Sequence, residues 1–165
     1  MSDNTITNTL QFTSAPFDKL NVEALYQALR LRAETFIVEQ NGVYQDLDNL
    51  DQHSLHLMGW LDHVMVCYAR ITPPGTRFPE PSIGRVVCAA GHRGSGHGRS
   101  LTEQAIVLCN EHYPGRAIRI SAQQYLERFY QSLGFASVSK PYLEDGIPHL
   151  EMLRPALNVA GDTPP

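Results

Sequence analysis

Sulfur is scarce in this chain. Three cysteines, Cys67, Cys88 and Cys109, are spread through 165 residues, an odd number with no C-x-x-C pair. Neither a disulfide framework nor a zinc knuckle is expected from them. A basic excess is missing too: 13 Lys and Arg stand against 17 Asp and Glu, a net charge of −4. Proteins that grip nucleic acid by neutralising phosphates carry the opposite balance, so no nucleic-acid partner is expected. No apolar run approaches the ~18 residues that span a bilayer. Met1-Ser2-Asp3-Asn4 lacks the basic and apolar regions of a signal peptide. The expectation is a cytoplasmic protein with no membrane partner. Internal repeats and long linkers are absent as well. With 42% hydrophobic residues, a chain of this length can bury one core. Residues 1–157 are expected to form a single domain, with 158–165 a flexible tail.

The patterning supplies the elements. Thr9 to Thr13 reads as a short first strand. Val22, Leu25, Tyr26, Leu29, Ala33, Phe36, Ile37 and Gln40 recur at three- and four-residue steps, the stripe of one amphipathic helix or of two broken near Arg32. Asn21 is placed to cap it and Asn41-Gly42 to end it. Leu55 to Leu61 and Val64 to Ile71, separated by Asp62-His63, read as a hairpin. Ile83 to Cys88 reads as a strand, followed by a glycine-rich stretch and a helix carrying Leu101, Ala105, Leu108 and His112. Ala117 to Ala122 is a further strand, and Leu126, Phe129, Tyr130 and Leu133 stripe a last helix. Strands around Phe135 to Ser139 and Ile147 to Leu153 follow, joined through Glu144-Asp145-Gly146. This order argues for a mixed sheet covered by helices.

The chemistry concentrates in Arg93-Gly94-Ser95-Gly96-His97-Gly98-Arg99-Ser100. Between a strand and a helix, small residues let main-chain N–H groups converge on an anion at the positive end of the helix dipole. A dinucleotide fingerprint fails because the third glycine position holds Arg99. A P-loop fails because its first glycine and its lysine fall on Arg93 and Arg99. The spacing of Arg93, Gly96 and Gly98 does fit Q/R-x-x-G-x-G/A, and Tyr130-Gln131-Ser132-Leu133-Gly134-Phe135 fits Y-x-x-L-G-F. Together these resemble the two signature motifs of the GNAT superfamily of N-acetyltransferases. Leu31-Arg32, Phe36 to Gln40, Tyr44-Gln45-Asp46, Asp48, His56 to Trp60 and Tyr142 to His149 are similar to its ElaA-type branch.

The resemblance implies an α/β (α+β) fold with a mixed, mostly antiparallel central sheet flanked by helices, in which two strands splay to admit acyl-CoA. It places pantetheine against Val86, Val87 and Cys88, and the pyrophosphate against Arg93, Gly94, Ser95, Gly96, His97, Gly98, Arg99 and Ser100. It implies direct transfer of an acetyl group from acetyl-CoA to an amine in a ternary complex, with Tyr130 protonating the departing thiolate. Glu39, His149 or a water chain is left as the base. A non-catalytic acyl-CoA-binding module of the same fold is the competing reading, and a homodimer is the default assembly.

Two other groupings read more blandly. Asp46, Asp48, Asp51, His53 and His56 crowd one loop, but the spacing matches neither an EF-hand nor a zinc helix. No metal is expected; a solvated acidic loop or one wall of a pocket for a cationic acceptor is. Cys88 reads as a small buried residue rather than a nucleophile, and Trp60 as core packing.

Overall fold

The computed structural model describes residues 9–157; the expected tail at 158–165 lies outside them. One sheet organises the chain, in the order β1-β2-β3-β4-β5-β8-β6 with β7 added on β8. Its strands are β1 (Gln11–Pro16), β2 (Leu55–Leu61), β3 (Val64–Thr72), β4 (Ser82–Cys88), β5 (Ile118–Gln123), β6 (Ala136–Ser137), β7 (Tyr142–Glu144) and β8 (Ile147–Arg154). Every pairing is antiparallel except β4 with β5. The β2–β3 turn uses Asp62 and His63 at φ 45° and 66°, the doubly left-handed conformation that matches strand twist. The first strand lies slightly later than expected. β7 went unseen in the sequence because Tyr142–Glu144 is too short to show alternation.

Two cores form on opposite faces of the sheet. Helix α1 (Val22–Arg32) lays Ala24, Ala28 and Leu31 on Met58, Met65, Tyr68 and Val87. Helix α2 (His97–His112) lays Leu101, Ala105 and Cys109 on Cys67, Ile71, Ile118 and Ile120. Alternation explains the division: Tyr68 and Val87 are cross-strand partners on one face, Cys67 and Cys88 on the other. Helix α3 (Glu127–Gln131) is short, preceded by a 3-10 turn at Gln124–Leu126, and sends Tyr130 into the α2-side core.

Asn21 caps α1 as expected, its side chain accepting from the Ala24 N–H at 2.7 Å. The expected break near Arg32 is a change of winding rather than an interruption. Ala33–Glu39 continues as a π-helix, ended by the Gln40 N–H on Thr35 O at 3.0 Å and the Gly42 N–H on Phe36 O at 3.1 Å. A Cβ on Gly42 would strike Phe36 O, so glycine is required for that close approach. Such wide turns recur at functional sites, and this one brings Thr35, Phe36, Glu39 and Gln40 to the cleft described next.

Candidate active site

The parallel strands β4 and β5 share one rung, Ser82 opposite Arg119, supported by the Arg119 N–H on Pro81 O at 3.1 Å. Beyond it they separate. The opening is a cleft of about 760 Å³, bounded by the end of β4, the end of β5, the π-turn and the β7–β8 hairpin. In the antiparallel ladder with β3, the Ala89 N–H bonds Val66 O at 2.8 Å. Alternation then turns the main-chain groups of Val87 toward β3 and those of Val86 and Cys88 toward the gap. A bulge lies just upstream, where Arg85 adopts φ 53° and the β3–β4 register shifts. An arginine is strained in that conformation. Its side chain is anchored, Nε to Asp46 Oδ1 at 2.7 Å and Nη2 to Asp46 O at 3.1 Å.

That anchor belongs to a buried ionic cluster under the cleft. Arg32, fully buried, donates to Asp46 at 2.9 Å and to Asp51 at 2.8 Å. Arg70 reaches Asp48 at 2.7 Å and Asp51 at 3.0 Å. His56 completes it: Nε2 donates to Asp51 O at 2.9 Å, so Nδ1 accepts from the Tyr68 hydroxyl at 2.7 Å. Burial alone would raise the carboxyl of Asp48, but the hydrogen bonds and charge of Arg70 bring it down to about 2. The solvated-loop expectation is therefore corrected, since Asp46 and Asp51 are buried and committed to arginines. Of the three aspartates, Asp48 also lines the cleft. Sequence reasoning missed Arg70 and Arg85, which sit among strand residues with no motif to mark them.

At the rim, α2 opens from Gly96 at φ 83°, with Gly94 at φ 81° before it. Side chains rarely adopt these conformations. Gly96 brings no capping side chain, and the first helical bond runs from the Ser100 N–H to Gly96 O at 3.1 Å. The first-turn amides of His97, Gly98 and Arg99 are thus left without intrahelical partners at the positive end of a 16-residue helix. Ser95 Oγ donates to His92 O at 3.1 Å, and Arg99 to Ser132 Oγ at 2.6 Å. Arg93 donates through Nε to Cys88 O at 3.1 Å and clasps Glu39 with both terminal nitrogens, Nη2 to Oε2 at 2.9 Å. The hydrogen bonds from Arg93 hold the Glu39 carboxyl below its usual range.

Tyr130 enters the cleft from the β5 side. It is buried between Phe129 and Phe135, both edge-on to its ring, and burial pushes its phenol up to about 12. His149, on β8, donates from Nδ1 to Ile147 O at 2.7 Å and turns Nε2 toward Glu144 at 3.5 Å. The cleft thus unites Val86, Val87, Cys88, Arg93, Glu39, Tyr130 and His149; Gly94 through Ser100 form the loop beside it. Cys88 departs from its expected role as a buried filler. It is half-buried on the cleft wall, with its sulfur 3.1 Å from that of Cys67. Trp60 packs on the α1-side core and its indole N–H donates to Thr13 Oγ1 at 2.8 Å.

Splayed parallel strands beside a glycine-lined helix start define a class of fold, and the comparisons agree. The acetyltransferase (GNAT) domain family matches residues 19–154, and the chain belongs to that family of acyltransferases. Within it the chain falls in the ElaA-like branch. It is 40% identical over 138 residues to protein ElaA of Escherichia coli, covering 82% of this chain and 90% of that one. The crystal structure of E. coli ElaA superposes with a TM-score of 0.84 at 36% identity, over 88% of this chain and 99% of that one. A UPF0039 protein of Synechocystis is 43% identical over 138 residues, covering 83% of this chain and 90% of its own. An acyl-CoA N-acyltransferase from Pseudomonas aeruginosa superposes with a TM-score of 0.85 at 37% identity, over 88% and 99%. Among the described residues, no helix is long and apolar enough to cross a membrane.

Proposed function

We propose that the chain transfers an acetyl group from acetyl-CoA to an amine, by direct attack within a ternary complex. The observation that carries this reading is the single β4–β5 rung, beyond which Val86 and Cys88 turn main-chain groups toward a cleft that also holds Tyr130, with the Cys88 carbonyl engaged by Arg93. Pantetheine amides resemble a peptide strand and suit such an edge. The pyrophosphate would lie on the loop from Arg93 through Ser100, drawn by the free amides of His97, Gly98 and Arg99. An N–H of β4 aimed at the thioester oxygen would stabilise the oxyanion, a contribution of about 2.7–4 kcal/mol per donor in a measured enzyme.

Tyr130 is assigned as proton donor to the departing thiolate. A phenol that burial has raised to about 12 keeps its proton at neutral pH and has it ready for the thiolate as that group departs. The acceptor's proton goes to Glu39 or His149, both on the cleft, or to a water chain. Arg93 weakens Glu39 as a base for as long as their pair persists.

Release of free CoA thiol from acetyl-CoA across an amine panel tests the reading. Tyr130→Phe is expected to lower turnover at least about tenfold while acyl-CoA affinity stays near wild type; equal activity removes Tyr130 from the mechanism. Tight acetyl-CoA binding with no thiol release from any amine would point to a binding module. Absence of saturable coenzyme A binding in calorimetry would overturn the donor assignment. The pH–rate profiles of Glu39→Gln and His149→Gln separate the two bases.

A further inference from the structure

Two of the three cysteines, distant in sequence, become neighbours when β4 returns beside β3. Cys67 and Cys88 are directly opposed across the antiparallel ladder, with sulfurs 3.1 Å apart. The Ala89–Val66 hydrogen bond makes the adjoining pair a hydrogen-bonded one, so Cys67 and Cys88 occupy a non-hydrogen-bonded pair, where side chains approach most closely. Facing strands at that spacing bring the two Cα atoms into the range a disulfide spans. The two residues differ in exposure. Cys67 is fully buried, whereas Cys88 is half-buried and faces the cleft.

We propose that Cys67 and Cys88 form a redox-active pair that closes to a disulfide on reaction with a hydroperoxide, Cys88 being oxidised first and Cys67 resolving it. The setting of Cys88 suits a reactive thiol. Its sulfur lies under the first turn of α2, where a Cβ on Gly98 would stand 3.9 Å away, and its carbonyl accepts from Arg93. Helix N-termini and neighbouring guanidinium groups favour the thiolate. The hydrogen bond from Cys67, with the charge of Arg93 in support, lowers the Cys88 thiol against the opposing effect of burial. The Cys67 thiol is raised by that same bond and by burial.

The chemistry balances. The Cys88 thiolate attacks one peroxide oxygen, the O–O bond breaks, and hydroxide leaves. Cys67 then attacks the sulfur of the Cys88 sulfenic acid, the S–O bond breaks, and water departs with the Cys67 proton. Two thiols and one hydrogen peroxide give one disulfide and two waters, and a dithiol reductant reverses the result. Closure consumes the thiol of a residue on the cleft wall. It also ties β3 to β4 at the point where β4 gives way to the glycine loop.

The test uses the full chain exposed to hydrogen peroxide, with alkylation under denaturing conditions before mass analysis. Titratable thiols are expected to fall threefold, from three to one, with loss of two hydrogens from the intact mass and a peptide cross-link joining Cys67 to Cys88. Cys109→Ala should form the same bond, and dithiothreitol should restore both thiols. In Cys67→Ser the reaction should stop at a Cys88 sulfenic acid that dimedone traps. Survival of three reactive thiols in the wild type after peroxide would overturn the proposal. A bond made through Cys109 or to a second chain would do the same.

Discussion

Beneath the cleft, Arg32, Arg70 and Arg85 meet Asp46, Asp48 and Asp51; at its rim, Arg93 meets Glu39. The same pair of functional groups serves both places, but surroundings separate their roles. Arg32 and Arg70 are 0% and 1% exposed, and each carboxylate below answers more than one guanidinium. Charge in a low-dielectric interior cannot be left alone, so the lower cluster behaves as one locked unit. It fastens the loop at 44–51 to the sheet and secures the strained Arg85 bulge from which β4 runs into the gap. The rim pair is about half exposed, with side chains 41% and 45% accessible. Water competes for it, and an anion reaching Arg93 has little to displace. Burial thus distinguishes an arginine that holds the scaffold from one that is free to exchange partners.

Deleting a member of the lower cluster tests that contrast most severely. Asp51→Ala strips Arg32 and Arg70 of a shared partner and is expected to cost about 3–5 kcal/mol in urea unfolding. A loss below about 1 kcal/mol would show the cluster to be no more locked than the rim. Next in size is Gly96→Ala, which forces φ 83° on a side-chain residue at about 1–2 kcal/mol. Coenzyme A binding should weaken with it if the loop holds the pyrophosphate.

Acid offers a gentler probe of the lower cluster. The folded Asp48 carboxyl lies at about 2 against an ordinary 3.8, so the unfolded chain takes up its proton first. The stability this group adds is fully present above pH 4 and is lost as pH falls from about 4 toward 2. Allowing for solvent at a side chain about a quarter exposed, the loss is about 1–2 kcal/mol. Unfolding curves across that interval check it, with Asp48→Asn expected to flatten the slope. Smallest of all is Glu39→Gln, which should leave the thermal midpoint unmoved. By freeing Arg93 it should tighten coenzyme A binding rather than weaken it, as titration calorimetry would show.

Much of this was legible in the residues. The Asp62-His63 hairpin, the Asn21 cap and the helix after Gly96 follow from local signals that need no distant partner, whereas the mostly antiparallel sheet was implied by the family resemblance. The glycine spacing and the Tyr130 motif marked out two of the regions that border the cleft. The acidic loop misled, because Asp46, Asp48 and Asp51 show their charge in sequence but not the arginines, 14 to 39 residues away, that neutralise them.

What the order of amino acids determined by itself was therefore local: periodicity, caps, turns and the small-residue run that frees three amides. Tertiary structure alone decided which charges are shared, which thiols touch, and where two parallel strands part after one rung. The reason is physical. Helix and turn preferences act within a few residues, whereas desolvation and pairing depend on what the folded sheet brings alongside from elsewhere in the chain.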